Sequence, residues 1–406
     1  MLTTQAVFTD PASSQKTRIA SIDLLRGIIM VIMALDHTRD NFHYDAWVHD
    51  PLDPATTTPL LYFTRWITHF CASNFVFLSG LSIWLQSRRK TAKELSLFLI
   101  TRGLWLILLE VTVVNTGVQA DVTAELVALQ VIWAIGISMF ILGLLLLARL
   151  PYTLLLILGL LIVFGHNSID YAEAARQGQV SVAWHLLHLP AYITIAKGHT
   201  LLLFYPFLPW TGLMIMGYCA GRLFTEPDQA TRNKILLRSG IGLLLVFIAL
   251  RFANSYGNPS PWSAGKSGLQ TFFSFMNVQK YPPSLLFMCV TVGPALLFLS
   301  QVQETGGKLA RIFIVFGRVP FFYYLLHFYT LTILRIIVFF ARGHSFAEGI
   351  HYSPGVEFKF LTGGEGFDLW AVYAIWILLV TGLYPICKWY DRYKSNHREK
   401  WWLSYL

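Results

Sequence analysis

The sequence is poor in charged residues. Only 13% of its 406 residues are Asp, Glu, Lys or Arg, whereas 55% are hydrophobic. A soluble globular protein carries about twice that proportion of charge. Together with a mean hydropathy of +0.54, the composition excludes a soluble globular protein and predicts a polytopic membrane protein.

Cysteine is scarce as well, and the common sequence signatures of bound cofactors are missing. The four cysteines stand singly in or at the ends of apolar segments, at Cys71, Cys219, Cys289 and Cys387. This spacing excludes a disulfide framework and a structural zinc site made of cysteines. The sequence also lacks a glycine-rich phosphate loop, a His-x-x-x-His metal pair and a Gly-x-Ser-x-Gly nucleophile turn. No metal is therefore expected.

What the sequence does contain is a series of long apolar runs. Most are about as long as a helix that crosses a bilayer, and they lie at 19–39, 61–86, 95–117, 124–149, 151–167, 198–221, 235–256, 284–302, 312–341 and 369–390. We predict an all-α bundle of about ten transmembrane helices, forming one domain at 19–390 between the tails 1–18 and 391–406. Gly317 and Pro320 predict a kink or a break in the ninth run.

The basic residues of the connecting loops are unevenly distributed. Eighteen Lys and Arg fall on the side that includes both tails, and seven fall on the other side. Because basic loops remain in the cytoplasm, we expect both termini to be cytoplasmic. The net charge of +9 is then a signal of topology, so membrane lipid is an expected partner and nucleic acid is not.

The loops predicted on the outer side are the long ones, at 40–59, 166–197, 255–283 and 342–368. Loops of this length are usually functional or disordered. Their Trp, Tyr and His residues suit docking on a surface or binding a sugar ring. The alternative is that these aromatic residues form an interfacial belt at the lipid headgroups.

The first apolar run contains ionisable residues. Arg26 and His37 are eleven positions apart, which on a helix brings them to one face, roughly 16 Å from each other. Asp23 lies one turn before Arg26, and Asp36 is next to His37. Ionisable groups within a membrane cost at least about 2.5 kcal/mol each, so they are candidates for function. The alternative is that Asp23 pairs with Arg26 near the membrane surface while His37 caps the outer end.

The second run adds Arg65 and His69, one turn apart on one helix face, at the same predicted outer level. Further polar residues predicted at this depth are Glu110, Asn115, Glu125 and Gln130. Two histidines beside carboxylates predict catalysis or proton transfer, because a carboxylate can orient a neutral imidazole that acts as a general base. His37 is the first choice for that base or for a transient acyl carrier, His69 is the second, and Asp36 is the predicted orienter. His327 is assigned a structural role, and the alternative is that it lines a cavity.

Several motifs then carry a family resemblance. They run from residue 19 to about residue 330: SIDLLRG at 21–27, DHTR at 36–39, RWITHF at 65–70, FVFLSG at 75–80, YPFLPW at 205–210, KYPPSL at 280–285, FGRVP at 316–320 and YLLH at 324–327. In these motifs the chain resembles the heparan-α-glucosaminide N-acetyltransferase catalytic family, in its bacterial branch. The Arg-x10-His spacing also resembles the signature of membrane acyltransferases that modify cell-envelope polysaccharides.

The resemblance implies a multi-pass enzyme of the bacterial cytoplasmic membrane. Such an enzyme takes an acyl group from cytoplasmic acetyl-CoA or another acyl-CoA and delivers it to a hydroxyl or amine of an envelope glycan or glycolipid. In that picture Arg26, Asp23 and Arg65 bind the cofactor, and His37 faces the acceptor. One departure stands out. The lysosomal enzyme's catalytic His lies in the loop after its first span, and the equivalent loop here has His43 and His49 without a local match.

Other functions remain open at this stage. A proton-coupled secondary transporter or flippase would use the same polar layer as a proton relay, although such proteins usually contain related halves and no repeat is visible. A membrane haem protein would need facing axial ligands, which no two runs clearly offer. The sequence leaves open whether the chain forms a homodimer.

Overall fold

A computed structural model of the chain describes residues 19–177, 179–302, 306–397 and 399–404. The predicted tail 1–18 and parts of the C-terminal tail lie outside the described residues. Within them the chain forms seventeen α-helices and three short β-strands. The helices are α1 (Ala20–Phe42), α2 (Pro59–Ile67), α3 (Phe70–Ser87), α4 (Ala92–Leu109), α5 (Asn115–Gln119), α6 (Val131–Leu147), α7 (Tyr152–Gly165), α8 (Ser168–Ala175), α9 (Val182–Leu187), α10 (Phe207–Gly221), α11 (Gln229–Ala253), α12 (Gly268–Met276), α13 (Leu285–Gln301), α14 (Lys308–Arg318), α15 (Pro320–Ala341), α16 (Phe346–Gly349) and α17 (Leu369–Asn396). The strands are β1 (Leu126–Leu129), β2 (Ala191–Ala196) and β3 (His199–Leu203), and a π-helical turn, Glu110–Val114, joins α4 to α5.

Every predicted apolar run contains a helix, but several runs are interrupted. The break predicted in the ninth run is confirmed, because α14 ends at Arg318 and α15 begins at Pro320. Proline suits the first turn of a helix, where its missing N–H costs nothing. The second run is divided between α2 and α3. The last helix, α17, continues to Asn396, beyond the predicted domain boundary at residue 390.

Among the described residues, five helical segments are long and apolar enough to cross a membrane: Pro59–Ser87, Ala92–Gln119, Gln229–Ala253, Pro320–Ala341 and Leu369–Asn396. A sixth is obtained if α7 and α8, bent by 46° at their junction, form one span. The helices fit a membrane protein built as a helical bundle. Ten spans remain a prediction, because α1 carries several charges and α6 and α13 have only 17 residues each.

Glycines bring four helix pairs into close contact in the described part of the chain. Three pairs of glycines face each other: Gly27 of α1 and Gly317 of α14, Gly103 of α4 and Gly136 of α6, and Gly240 of α11 and Gly293 of α13. In the fourth helix pair, Gly80 of α3 and Gly217 of α10 each lie against the backbone of the opposite helix. Small residues let helix backbones approach closely where lipid removes the hydrophobic drive for association. Helices α3, α10 and α13 bury most of their length and form the centre of the core, where Trp210 and Phe287 are fully buried.

The four long loops gather at one end of the bundle. There β3 pairs in parallel with β1 and in antiparallel with β2. Contacts between distant loops join this layer, including a bridge between His43 and Phe367 and a hydrogen bond from Gln270 to the carbonyl of Pro54. The all-α prediction misses this small sheet. Short apolar strands cannot be distinguished from the start of a buried helix by hydrophobicity alone.

A buried lysine joins the long loop at 342–368 to the short segment between α5 and β1. Lys359 Nζ lies 3.0 Å from Asp121 and 2.9 Å from Glu125. Burial alone would raise the pKa of Asp121, but hydrogen bonds from Thr123 and Lys359 hold that pKa well below its usual value. Glu125, predicted to belong to the outer polar layer, therefore contributes to this loop contact.

Candidate active site

A cavity of about 260 Å³ lies beside the C-terminal half of α1. His37 lines this cavity. Its wall also contains three basic residues (Arg39, Arg65 and Lys280), four acidic residues (Asp36, Asp40, Asp50 and Glu357) and three tyrosines (Tyr205, Tyr281 and Tyr324). The loop layer covers it, because the loop residues Trp47 and Phe358 are also part of its wall. The cavity is thus polar, aromatic and bounded on one side by the long loops.

A second histidine orients His37. Nδ1 of His37 lies 2.7 Å from Nε2 of His327, and Nδ1 of His327 lies 2.9 Å from the carbonyl oxygen of Tyr323. The ring of His37 also stacks on Phe328, with ring centroids 4.1 Å apart. His327 is completely buried, whereas His37 is partly exposed.

These contacts determine where the protons lie when both rings are neutral. A carbonyl oxygen can only accept, so Nδ1 of His327 carries the proton and its Nε2 has a free lone pair. Nδ1 of His37 must then donate to that lone pair. The remaining nitrogen of His37, Nε2, keeps its own lone pair on a ring that lines the cavity. This is the form of histidine that can take a proton from a substrate.

Asp36 contacts two arginines. Its carboxylate lies 3.0 Å from Arg39 and 2.9 Å from Arg65. The side chain that forms a hydrogen bond with the ring of His37 is thus His327, and among the described residues no hydrogen bond joins Asp36 to that ring. Asp36 instead positions two guanidinium groups in the cavity wall.

Arg39 has spare hydrogen-bond donors. Only 4% of this residue is exposed, and its Nη2 contacts both Asp36 and Asp40. Within the described residues its Nε and Nη1 have no partner. A buried donor without a partner is costly. Arg39 lines the cavity, and these two N–H groups make no bond to the described protein that a ligand oxygen would have to replace.

His69 lies apart from this arrangement. It is 1% exposed, contacts the ring of Phe287 and is not among the described residues that line the cavity. His69 therefore lies in the core beside the cavity wall, and its catalytic role stays a prediction. Arg65, one turn earlier, does reach the cavity, so the predicted pair is divided between the cavity wall and the core.

Arg26 and Asp23 form a separate cluster towards the other end of α1. Arg26 lies 3.1 Å from Asp23 and donates to the carbonyl of Gly317 and the hydroxyl of Ser82 at 3.0 and 2.9 Å. Arg318 lies 3.8 Å from Asp23. Neither Arg26 nor Asp23 is among the described residues that line the cavity. The cluster connects α1 with α3 and α14.

Glu110 and Asn115 have structural contacts. The carboxylate of Glu110 accepts a hydrogen bond of 2.6 Å from the backbone of Gln130, and Asn115 bonds to the backbone of Ala128 in β1. Of these predicted polar residues, only Gln130 lines the cavity. Glu110 and Asn115 therefore fasten the π-helical turn to β1 and the start of α6.

Sequence reasoning missed part of this site. The sequence predicts a structural role for His327 and assigns Lys280 and Tyr281 no role beyond a family motif, although all three contact the cavity or His37. Their motifs, KYPPSL and YLLH, were the available signal. Neither motif contains a local sequence signal that predicts contact with α1.

The sequence profile described as "Heparan-alpha-glucosaminide N-acetyltransferase, catalytic" matches residues 18–250. No curated protein matches the chain at a significant level. The matched region includes α1, Arg65 and Tyr205, whereas Lys280 and His327 lie beyond it. Because the match covers more than half of the chain, this protein belongs to the heparan-alpha-glucosaminide N-acetyltransferase catalytic family, and its activity is of the acetyltransferase type.

Proposed function

We propose that the protein is a membrane-bound acyltransferase that moves an acetyl group from acetyl-CoA, or another acyl group from its CoA thioester, to a hydroxyl or amine of an envelope glycan or glycolipid. The observation that carries this proposal is the contact between His37 and His327 at the wall of the cavity. It presents a neutral imidazole to a polar space that is large enough for the reacting ends of two substrates.

We propose His37 as the general base. Its Nε2 takes the proton of the acceptor hydroxyl or neutral amine as that oxygen or nitrogen attacks the thioester carbonyl carbon. The carbon–sulfur bond then breaks, and the departing thiolate receives the proton from His37. No net proton change remains on the enzyme, so one histidine serves both half-steps.

The cationic wall of the cavity supports this chemistry. Attack on the carbonyl places negative charge on its oxygen, and fixed donors near such an oxygen are usually a large part of catalysis. The unused N–H groups of Arg39 are suited to that role, and Arg65 and Lys280 add positive charge. The carboxylates and tyrosines of the same wall suit the hydroxyl and amine groups of a sugar.

We further propose that the donor enters from the end of α1 that carries Arg26 and the acceptor from the loop layer. Helix geometry separates Arg26 from His37 by roughly 16 Å, which is compatible with an extended pantetheine arm between them. Asp23 would keep Arg26 oriented. In this proposal the bundle has ten spans with both termini in the cytoplasm, and the membrane is the bacterial cytoplasmic membrane.

The proposal predicts that His37→Ala abolishes transfer without unfolding the protein. Loss of a general base lowers the rate by about 10²–10⁴-fold. The measurement is the release of coenzyme A from acetyl-CoA by the detergent-purified protein, with glucosamine as an amine acceptor and N-acetylglucosamine as a hydroxyl acceptor. Melting temperature is recorded in parallel, since a structural histidine would change stability instead.

His49→Ala is the matched control. His49 is exposed and pairs with Asp45 in the loop that follows α1, where the lysosomal enzyme carries its catalytic histidine. Activity lost with His49→Ala but kept with His37→Ala would move the chemistry into that loop, and the same pattern with His69→Ala would move it to the second candidate. Acyl-CoA turnover absent under all conditions would contradict the proposal and favour the transporter.

A further inference from the structure

A second cluster of ionisable residues lies in the segment that connects α7 to β2. Of the described residues between Phe164 and Leu201, those that are buried are all polar: His166, Asn167, Glu173 and His188. Helix α9 buries no residue, and α8 buries only Glu173. This segment therefore folds around a polar centre and has no apolar core of its own.

The polar centre is a connected set of side chains. His188 Nδ1 lies 2.9 Å from Glu173 Oε1, and His188 Nε2 lies 3.1 Å from His166 Nδ1. Trp184 donates to the same Glu173 oxygen at 2.7 Å. One ligand-type atom from each of Asp170, Glu173 and His188 lies within 4.8 Å of the others.

The cluster is largely buried and contains two carboxylates. His166 and His188 are 2% and 0% exposed, and within the described residues Nε2 of His166 has no hydrogen-bond partner. Two carboxylates one helical turn apart repel each other when they are removed from water. Small segments that lack an apolar core are commonly stabilised by a disulfide or a metal ion, and the described cysteines all lie elsewhere as free thiols.

We propose that Asp170, Glu173 and His188 bind a divalent metal ion, and that the ion is zinc. Zinc accepts mixed imidazole and carboxylate ligands, whereas calcium and magnesium prefer oxygen ligands alone. Zinc ligands at about 2.1 Å lie about 3.4 Å from one another. Small side-chain rotations would bring the three atoms to that spacing. The ion would neutralise both carboxylates at once.

His166 completes this arrangement as a positioning residue. A histidine that binds a metal through one ring nitrogen usually donates its other N–H to a neighbouring acceptor. With zinc on Nδ1, His188 carries its proton on Nε2 and donates it to Nδ1 of His166. The metal thereby fastens α8 and α9 to the junction after α7. None of these residues is among the described residues that line the cavity beside α1, so this proposal stands apart from the proposed transfer reaction.

The test measures metal content and stability of the full chain, purified without a histidine tag. Elemental mass spectrometry should find about one zinc per chain. Chelation should lower the melting temperature, and added zinc should restore it, since a ligand that binds only the native state stabilises it. Cobalt in place of zinc should give the visible absorption of a tetrahedral site.

Variants locate the site. His188→Ala should lose the zinc and the cobalt absorption, while His185→Ala should keep both. His185 lies three residues earlier, in α9, and among the described residues its ring hydrogen-bonds only to the carbonyl of Leu189. Glu173→Gln keeps the size of the side chain and an acceptor for Trp184, so it provides a folded variant that lacks one ligand charge. Absence of zinc from the wild-type protein, or equal zinc in His188→Ala and wild type, would overturn the assignment.

Discussion

At the scale of single residues, the site depends on two histidines that are 290 positions apart. His327 is completely buried and receives its orientation from the backbone of its own helix, through the carbonyl of Tyr323. It can therefore hold His37 in one tautomer while Phe328 restricts the ring from its face. The reactivity proposed for His37 thus depends on a residue that need not touch the substrate.

His327→Ala should lower kcat by about 10²-fold, because loss of the partner lets the His37 ring rotate, and a misplacement of about 1 Å in a reacting group can cost that much. KM for acetyl-CoA should change little. His327→Gln, which retains a hydrogen-bonding group near His37, should recover part of the loss. Steady-state kinetics on the purified variants provide the measurement.

Thr330→Ala is the control for that experiment. Thr330 lies on the same helix and bonds only to the carbonyl of Leu326 among the described residues. A purely structural role for His327 would appear as equal losses in His327→Ala and His327→Gln, together with a lower melting temperature. An effect no larger than that of Thr330→Ala would rule out the positioning role.

At the scale of helices, the bundle relies on close backbone contact between α1 and α14. A Cβ atom built on Gly317 would lie 1.9 Å from the carbonyl oxygen of Asp23, and one built on Gly27 would lie 1.8 Å from that of Phe313. Arg26 bonds across the same junction to the carbonyl of Gly317. Packing and the proposed donor-side cation are therefore parts of one helix contact.

Gly317→Ala should destabilise the protein by about 1–3 kcal/mol, the usual cost of forcing extra volume into a packed contact, because the two helices must separate. Thermal unfolding in detergent measures the change. Gly382→Ala in α17 is the control, since a Cβ there meets nothing within 4 Å. It should be neutral or stabilise by up to about 1 kcal/mol, the helix preference of Ala over Gly. Equal melting temperatures for the two variants would contradict the close contact.

At the scale of the whole molecule, the cavity lies beneath the layer formed by the long loops. Residues from three of these loops, including Trp47, Lys280 and Phe358, contribute to its wall. The basic excess lies in the connections at the opposite end, such as the Arg88–Lys90 cluster. If these basic connections are cytoplasmic, an acceptor can reach the cavity from outside the cell.

This orientation predicts the outcome of cysteine labelling in intact cells. Ser260→Cys, exposed in the loop layer, should react with a membrane-impermeant maleimide added outside, and Lys90→Cys should react only after permeabilisation. The native cysteines are all buried and should give little background. Labelling of Lys90→Cys from outside would reverse the orientation and the proposed directions of donor and acceptor.

The sequence alone was enough to identify the helical runs, the break before Pro320, the family and the ionisable residues of α1. These features depend on local hydrophobicity, on the backbone of proline and on short motifs, which neighbouring residues determine. The sequence also suggested His37 as the base, and that role stays a prediction.

Only the tertiary structure decided which charged and polar side chains meet. In it His37 forms a hydrogen bond with His327, and Asp36 forms ion pairs with Arg39 and Arg65. His69 is buried in the core, and β1 pairs with β3. Each of these contacts depends on how helices pack and on the side of each helix that faces its neighbour. Hydrophobic periodicity predicts which face of a helix a residue occupies, but it does not predict which element packs against that face. Contacts between distant segments could therefore not be predicted from the sequence.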